Sequence, residues 1–229
     1  MVSVAVFSDV HANLEALEAV LGETRGLERY CLGDLVDYGA NPNEVIDRLQ
    51  KAGVKGIRGN HDDAAVTGNT SPFNAKAAIS SQWSRKNLTG ENMSYLDGLS
   101  LDLRAEFDGQ ECYFAHGSPD DRLWEYVDPS THSDMFGHYL DKLKVRLIGL
   151  GHTHIPYVWK EGGRVVFNPG SVGQPRDGDW RASYALVTVD DQGIRVEVKR
   201  VEYDVEGAAM KIRKAGLPAS HADRLATGS

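Results

Sequence analysis

Aspartate, asparagine and histidine recur in five short blocks: Asp9-Val10-His11, Gly33-Asp34-Leu35-Val36-Asp37, Gly59-Asn60-His61-Asp62, His116-Gly117 and Gly151-His152-Thr153-His154. Five of the 8 histidines (His11, His61, His116, His152, His154) fall inside them. Carboxylate oxygens, imidazole nitrogens and an amide oxygen, with no thiolate, suit hard to borderline divalent ions such as Mn, Fe, Co, Ni or Zn. Two such ions about 3.5–4 Å apart repel each other, so a site for both needs a shared carboxylate and a bridging hydroxide that both make acidic. Asp34, between glycine-flanked turns, is the natural shared donor.

Each block alone has a plainer reading. Asp9 ahead of a helix can simply cap it, Gly33-Asp34 and Asp37-Tyr38-Gly39 can simply turn the chain, and Gly59-Asn60 is ordinary loop chemistry. A lone His116 or His152 is as readily a hydrogen-bonded structural histidine. The conjunction favours a site, because the blocks follow successive strands, where an α/β sheet forms its ligand crevice.

The elements that must position them can be read from periodicity. Val2 to Phe7 alternates and predicts a strand; Asn13 caps a helix with Leu14, Leu17, Val20 and Leu21 on one face. Glu28 to Leu32 predicts a second strand, Pro42 to Gly53 a helix and Val54 to Arg58 a third strand, a βαβ rhythm that implies a mainly parallel sheet. Ser71 to Leu99 reads as helix in two pieces, so a helical insertion is expected at about 66–100. Glu111 to Ala115 and Val145 to Leu150 are strands delivering His116 and His152, with a helix over Ser130 to Leu143 between them. Arg164 to Phe167, Tyr184 to Val189 and Ile194 to Val201 predict a second, partly antiparallel sheet, with a turn at Asp190 to Gly193. A last helix spans Val205 to Ala215.

The 229 residues, 41% hydrophobic and 25% charged, suit one domain over 1–229. No apolar run is long enough to span a bilayer and the first residues carry no export signal, so a cytoplasmic protein is expected. Cys31 and Cys112, each in a strand, suit buried thiols better than a disulfide, although a bridge between them stays open. The net charge of −8, without a basic cluster, argues against long nucleic acid as partner but not against a small phosphate substrate, which paired divalent ions would attract.

The five blocks resemble, in order, those of the calcineurin-like metallophosphoesterases: Asp-x-His, Gly-Asp-x-x-Asp, Gly-Asn-His-Asp, His, and Gly-His-x-His. The match covers residues 9 to 154. The resemblance implies a four-layer α/β/β/α sandwich of two facing mixed sheets flanked by helices. It also implies Asp9, His11 and His154 as ligands of one metal, Asn60, His116 and His152 as ligands of a second, and Asp34 as the bridge. His61 would protonate the leaving oxygen, with Asp62 orienting its ring. Manganese is the expected ion, with Fe, Zn, Ni and Co compatible.

Asn168 to Arg176 and His116-Gly117-Ser118-Pro119 resemble the small bacterial branch, some members of which hydrolyse phosphodiesters and others dinucleoside polyphosphates. Asn168 to Gly173 reads at least as readily as a structural turn packing beneath the site as it does as a substrate contact. Asp37-Tyr38-Gly39 stands where the phosphoprotein phosphatases carry Asp-Arg-Gly, which weakens that reading. The expected function is hydrolysis of a small, nucleotide-type phosphodiester by a metal-bridging hydroxide. A dinucleoside polyphosphate hydrolase and a non-catalytic metal-binding scaffold of the same fold are the alternatives. Arg122 and Arg176 are candidates for a distal phosphate and Trp124 and Tyr126 for a stacked base, with packing the plainer role of the aromatics. His221 reads as surface.

Overall fold

Alternation along Val2–Phe7 makes this first strand, β1, two-faced: Val4 and Val6 enter one buried layer, Ala5 and Phe7 another. The computed structural model describes residues 1–229 except the side chain of Thr131. After β1 the chain runs through α1 (Leu14–Glu23), β2 (Glu28–Cys31), α2 (Pro42–Lys51), β3 (Lys55–Gly56), α3 (Asn60–Thr67), α4 (Ala75–Asn87) and α5 (Gly90–Gly98). It continues through β4 (Asp102–Phe107), β5 (Gln110–Ala115), α6 (Pro129–Leu143), β6 (Leu147–Leu150), β7 (Tyr157–Glu161) and β8 (Arg164–Asn168). Last come β9 (Ala182–Asp190), β10 (Gly193–Val201), α7 (Val205–Lys214), α8 (Ala219–Asp223) and a 3₁₀ turn, Arg224–Ala226.

Two five-stranded sheets result, in the orders β10-β9-β1-β2-β3 and β4-β5-β6-β8-β7. In the first, β1, β2 and β3 pair in parallel and the β9–β10 hairpin adds antiparallel beside β1; in the second, β5, β6 and β8 pair in parallel between antiparallel edges β4 and β7. The sheets face each other across Val4, Val6, Tyr30, Cys112, Phe114, Leu147, Val165 and Phe167. On its far side the first sheet packs on α1 and α2 through Phe7, Leu17, Val20, Ile46 and Leu49, and the second on α6 through Ile148, Val166, Phe136 and Leu140. This is the expected four-layer sandwich. The carboxyl ends of β1, β2, β5 and β6 carry four of the five blocks, and the fifth, Gly59 to Asp62, follows β3.

Some details differ from the sequence reading. β9 and β10 join β1 and enlarge the first sheet instead of starting the second. β4 and β7 were not anticipated; both are edge strands with polar, partly exposed residues and a weak apolar alternation. β3 shrinks to two residues for the same reason. The Gly59-Asn60 block, read as loop, starts α3: Gly59 is its N-cap, and the Asp62 carboxylate accepts from the Gly59 N–H at 2.9 Å. Cys31 and Cys112 are both free and buried, in different apolar layers.

Gly149, in the centre of β6, pairs with Phe114 on one side and Phe167 on the other. Their rings close over it, so an added Cβ would lie 2.7 Å from Phe114 Cδ1 and 2.9 Å from Phe167 Cζ. Gly149→Val is therefore expected to overpack the space between the sheets and cost about 1–3 kcal/mol, read as a lower urea midpoint with an unchanged m-value.

Candidate metal centre

The β1–β2 ladder continues past the strand ends and holds the first two blocks in register. Asp9 N donates to Gly33 O at 3.0 Å, His11 N to Asp34 O at 2.9 Å and Ala12 N to Leu35 O at 2.9 Å. Gly151 N donates to His116 O at 2.9 Å and ties the β5 and β6 loops likewise. The Asn168 to Gly173 segment passes beneath: Val172 N reaches Ser8 O, and Gly173 N and Ser171 Oγ both reach Asp9 O. It braces the ligand loops, the structural one of its two readings. Ten non-glycine residues have positive φ, and eight of them are Asp9, His11, Ala12, Asp34, Asp37, Tyr38, His152 and His154. Such backbone costs of order 1–3 kcal/mol per residue and persists only where surroundings over-determine it.

These loops gather two donor groups, Asp9-His11-Asp34-His154 and Asp34-His116-His152, with the donor atoms of each within 4.8 Å of one another. Asp34 belongs to both. Asn60 joins the second group, its Oδ1 lying 3.0 Å from His116 Nε2. His11, His116 and His154 turn Nδ1 to the carbonyls of Val36, Leu32 and Gln174, at 3.0, 2.8 and 2.6 Å. A carbonyl only accepts, so in the neutral rings Nδ1 carries the hydrogen and Nε2 presents a lone pair to the cluster. His152 is turned the other way, with Nε2 on Trp124 O at 3.2 Å.

Lone pairs facing one another need a cation. His11 Nε2 and His154 Nε2 are 3.1 Å apart, and Asp9 Oδ1, Asp9 Oδ2 and Asp34 Oδ2 are buried with no hydrogen-bond partner. Burial pushes the Asp9 carboxyl up to about 6 and holds His11 and His154 well below the ordinary imidazole range, while His152 falls to about 3 through burial and then His116. Burial opposes charge on Asp34 too, but His116, His61 and His11 outweigh it and keep that carboxyl well below its usual range. Uncompensated buried acceptors of this kind fit divalent ions.

His61 sits beside the cluster, its ring edge-on to His11 at 5.0 Å and stacked on Phe73 at 4.4 Å. Its backbone N–H donates to Asp34 Oδ1 at 2.9 Å, which fixes the carboxylate with Oδ2 left over. Its Nδ1 is held by Asp37 Oδ2 at 2.8 Å. This corrects the role expected of Asp62, whose oxygens are consumed by the N–H groups of Leu35, Val36 and Gly59 at 2.8, 3.2 and 2.9 Å. Asp62 ties the second block to the third; Asp37 orients the ring. Burial lowers the His61 pKa, but Asp34 and Asp37 more than offset it, so the net shift is upward.

The rim holds some of the other expected residues. Tyr126, 56% exposed, covers the His152 ring at 4.0 Å, and Trp124 meets Phe73 at 5.4 Å. Arg176 N donates to His154 O at 3.4 Å. The Arg122 guanidinium pairs with Asp102 of β4 at 3.2 Å. His221, expected at the surface, is only 3% exposed and packs on the Tyr38 ring at 4.8 Å. Its sequence neighbourhood gave no sign of this, because α8 is too short to show periodicity. Asp37 was visible in its block but not separable from a turn residue.

The profile of the calcineurin-like phosphoesterase superfamily domain matches residues 2–192. An uncharacterized protein of Methanocaldococcus jannaschii is 40% identical over 246 residues, covering 98% of each chain. A metallophosphoesterase from Sphaerobacter thermophilus superposes with a TM-score of 0.84 at 34% identity, over 100% of this chain and 99% of that one. A hypothetical protein from Pyrococcus horikoshii shares the fold, with a TM-score of 0.89 at 23% identity over 100% of this chain and 99% of its own. Sequence and fold agree with the donor cluster, and the chain belongs to the calcineurin-like phosphoesterase superfamily.

Proposed function

We propose that this metal-dependent phosphoester hydrolase acts on small phosphodiesters of nucleotide type, with two divalent ions, manganese for preference, at the paired donor groups. The observation that carries the reading is Asp34, shared by both groups, with His61 held beside it by Asp37. Asp9, His11 and His154 would hold one ion, Asn60, His116 and His152 the other, and Asp34 both. Ions bound there supply Lewis-acid charge for phosphoryl oxygens and make a coordinated water acidic.

The chain's own residues do the rest. The Nδ1 contacts of His11, His116 and His154 fix which nitrogen each ring presents, so the donors need no reorganisation when charge develops. Asp34 and Asp37 favour the imidazolium form of His61, with Nδ1–H held on Asp37, and its Nε2–H is then the proton passed to the departing oxygen. Phe73 limits the swing of that ring. A net charge of −8 without a basic cluster supports a small substrate over long nucleic acid. The intact Asn60-His61-Asp62 block supports an enzyme over a scaffold. Among the described residues, no helix is long and apolar enough to cross a membrane.

The deciding experiment strips the protein with chelator, restores single metals, and assays monoester, diester, cyclic nucleotide and dinucleoside polyphosphate substrates. Diester hydrolysis that returns with metal, best with manganese, is expected; binding without turnover would favour the scaffold. Asp34→Asn should lower metal occupancy, as elemental analysis of the purified variant reads directly; full occupancy would refute the shared role. His61→Ala should keep its metals yet lose roughly 10²–10⁴ in kcat on alkyl esters, and much less on nitrophenyl esters, whose leaving group needs no proton. Asp37→Ala should follow the same leaving-group pattern more weakly; an equal loss on both ester types would mean it only supports the fold.

A further inference from the structure

Beside the donor cluster lies a cavity of about 440 Å³ whose walls include Tyr38, Lys76, Tyr126, Arg176, His221 and Arg224. That is the size of a small-molecule site. It shares two walls with the cluster: the Tyr38 ring is 4.5 Å from that of His11 and 4.7 Å from that of His61, and Tyr126 covers His152. Three lining residues are cationic and none is acidic.

What sets these cations apart is that they share one wall with no carboxylate in it. Arg48, Arg58, Arg122, Arg164, Arg181, Arg195, Arg200 and Arg213 each have a carboxylate partner. Among the described residues, no ion pair of Lys76, Arg176 or Arg224 is found, nor of the scattered Arg25, Arg29, Arg85, Arg104 and Arg146, but the first three line one cavity together in a chain whose net charge is −8. Arg176 Nη2 and Arg224 Nη1 instead converge on one neutral acceptor, the buried Gln174 Oε1, at 3.3 and 3.1 Å. Two guanidinium groups on one oxygen repel, and burial and then Arg176 lower the Arg224 pKa from its ordinary value. Arg176 Nε and His221 Nδ1 are buried without hydrogen-bond partners. Since His221 Nε2 faces Lys76 O at 3.3 Å, its Nδ1 is an acceptor, suited to a ligand hydroxyl. The segment is held in place by Ala222 and Leu225, which pack on Ala208, Ala209 and Ile212 of α7.

We propose that this cavity is a second anion subsite, formed by Arg176, Arg224 and Lys76, that takes a phosphate other than the one cleaved. Favoured substrates then carry two phosphates, one at the donor cluster and one between the guanidinium groups. The inference rests on the phosphoesterase reading and names the substrate class for it. Sequence alone could not assemble the subsite, because its cations come from α4, the loop after β8 and the turn after α8.

The test compares thymidine 5′-(p-nitrophenyl phosphate) with the same compound bearing a 3′-phosphate, on metal-restored protein. The wild type should favour the second by about tenfold in kcat/KM, the worth of one charge-assisted hydrogen bond. Arg224→Gln should remove most of that ratio and the pair Arg224→Gln with Lys76→Gln the remainder, whereas Lys199→Gln, which removes a charge on β10, should keep it. Calorimetry with thymidine 3′,5′-bisphosphate on metal-stripped protein should show weaker binding in Arg224→Gln by a similar factor. Hydrolysis of the plain ester with a wild-type ratio near one, or a full ratio in both variants, or equal binding, overturns the subsite alone. Hydrolysis of neither compound defeats the phosphoesterase reading and the subsite with it.

Discussion

The structure depends on a conflict between solvation and charge around Asp34. Its carboxylate is fully buried, receives the His61 N–H, and faces the Nε2 atoms of His11 and His116 at 3.6 and 3.2 Å. Asp9, equally buried, accepts no hydrogen bond on either side-chain oxygen. Lone pairs assembled away from water cost several kcal/mol unless something positive compensates them. The surrounding protein commits that energy in advance.

The fold meets this cost by over-determining the backbone. Parallel ladders in both sheets run on past their strands, so that the loops bearing Asp9, Asp34, His116 and His152 are hydrogen-bonded to each other before any side chain is considered. Left-handed backbone at Asp9, His11, Asp34, His152 and His154 then turns successive side chains to one point. Asp62 and the Asn168 to Gly173 segment, both close to the chemistry in sequence terms, spend their hydrogen bonds on these loops. Beyond the paired donors, the guanidinium groups of Arg176 and Arg224, which share the neutral Gln174 Oε1 and have no carboxylate, continue the imbalance with opposite sign and give the cleft a polarity along its length.

Much of the site was legible because its residues travel in blocks, each attached to a strand whose alternation is strong. Asp9, His11, Asp34, Asn60, His116, His152 and His154 are all brought together. What escaped was carried by elements with weak periodicity or by contacts between distant segments. β4 and β7 are polar edge strands; β9 pairs with β1 from the far end of the chain and brings β10 with it, which no local pattern encodes. Asp37 and Asp62 each follow a ligand within their blocks, and only the turn geometry decides which carboxylate reaches His61. β4, which was not foreseen, supplies the Asp102 that pairs with Arg122, a contact its sequence neighbours do not show. His221 packs on Tyr38 and on Lys76 of α4, both far from it in sequence.

The central claim is that a single Asp34 carboxylate joins two cations. The most direct measurement is anomalous diffraction from crystals of metal-stripped protein soaked in manganese. The account predicts two peaks about 4 Å apart or closer, one against Asp9, His11 and His154 and one against Asn60, His116 and His152, with Asp34 between them. A single peak that leaves Asp34 Oδ2 uncoordinated, or none at all, would contradict it.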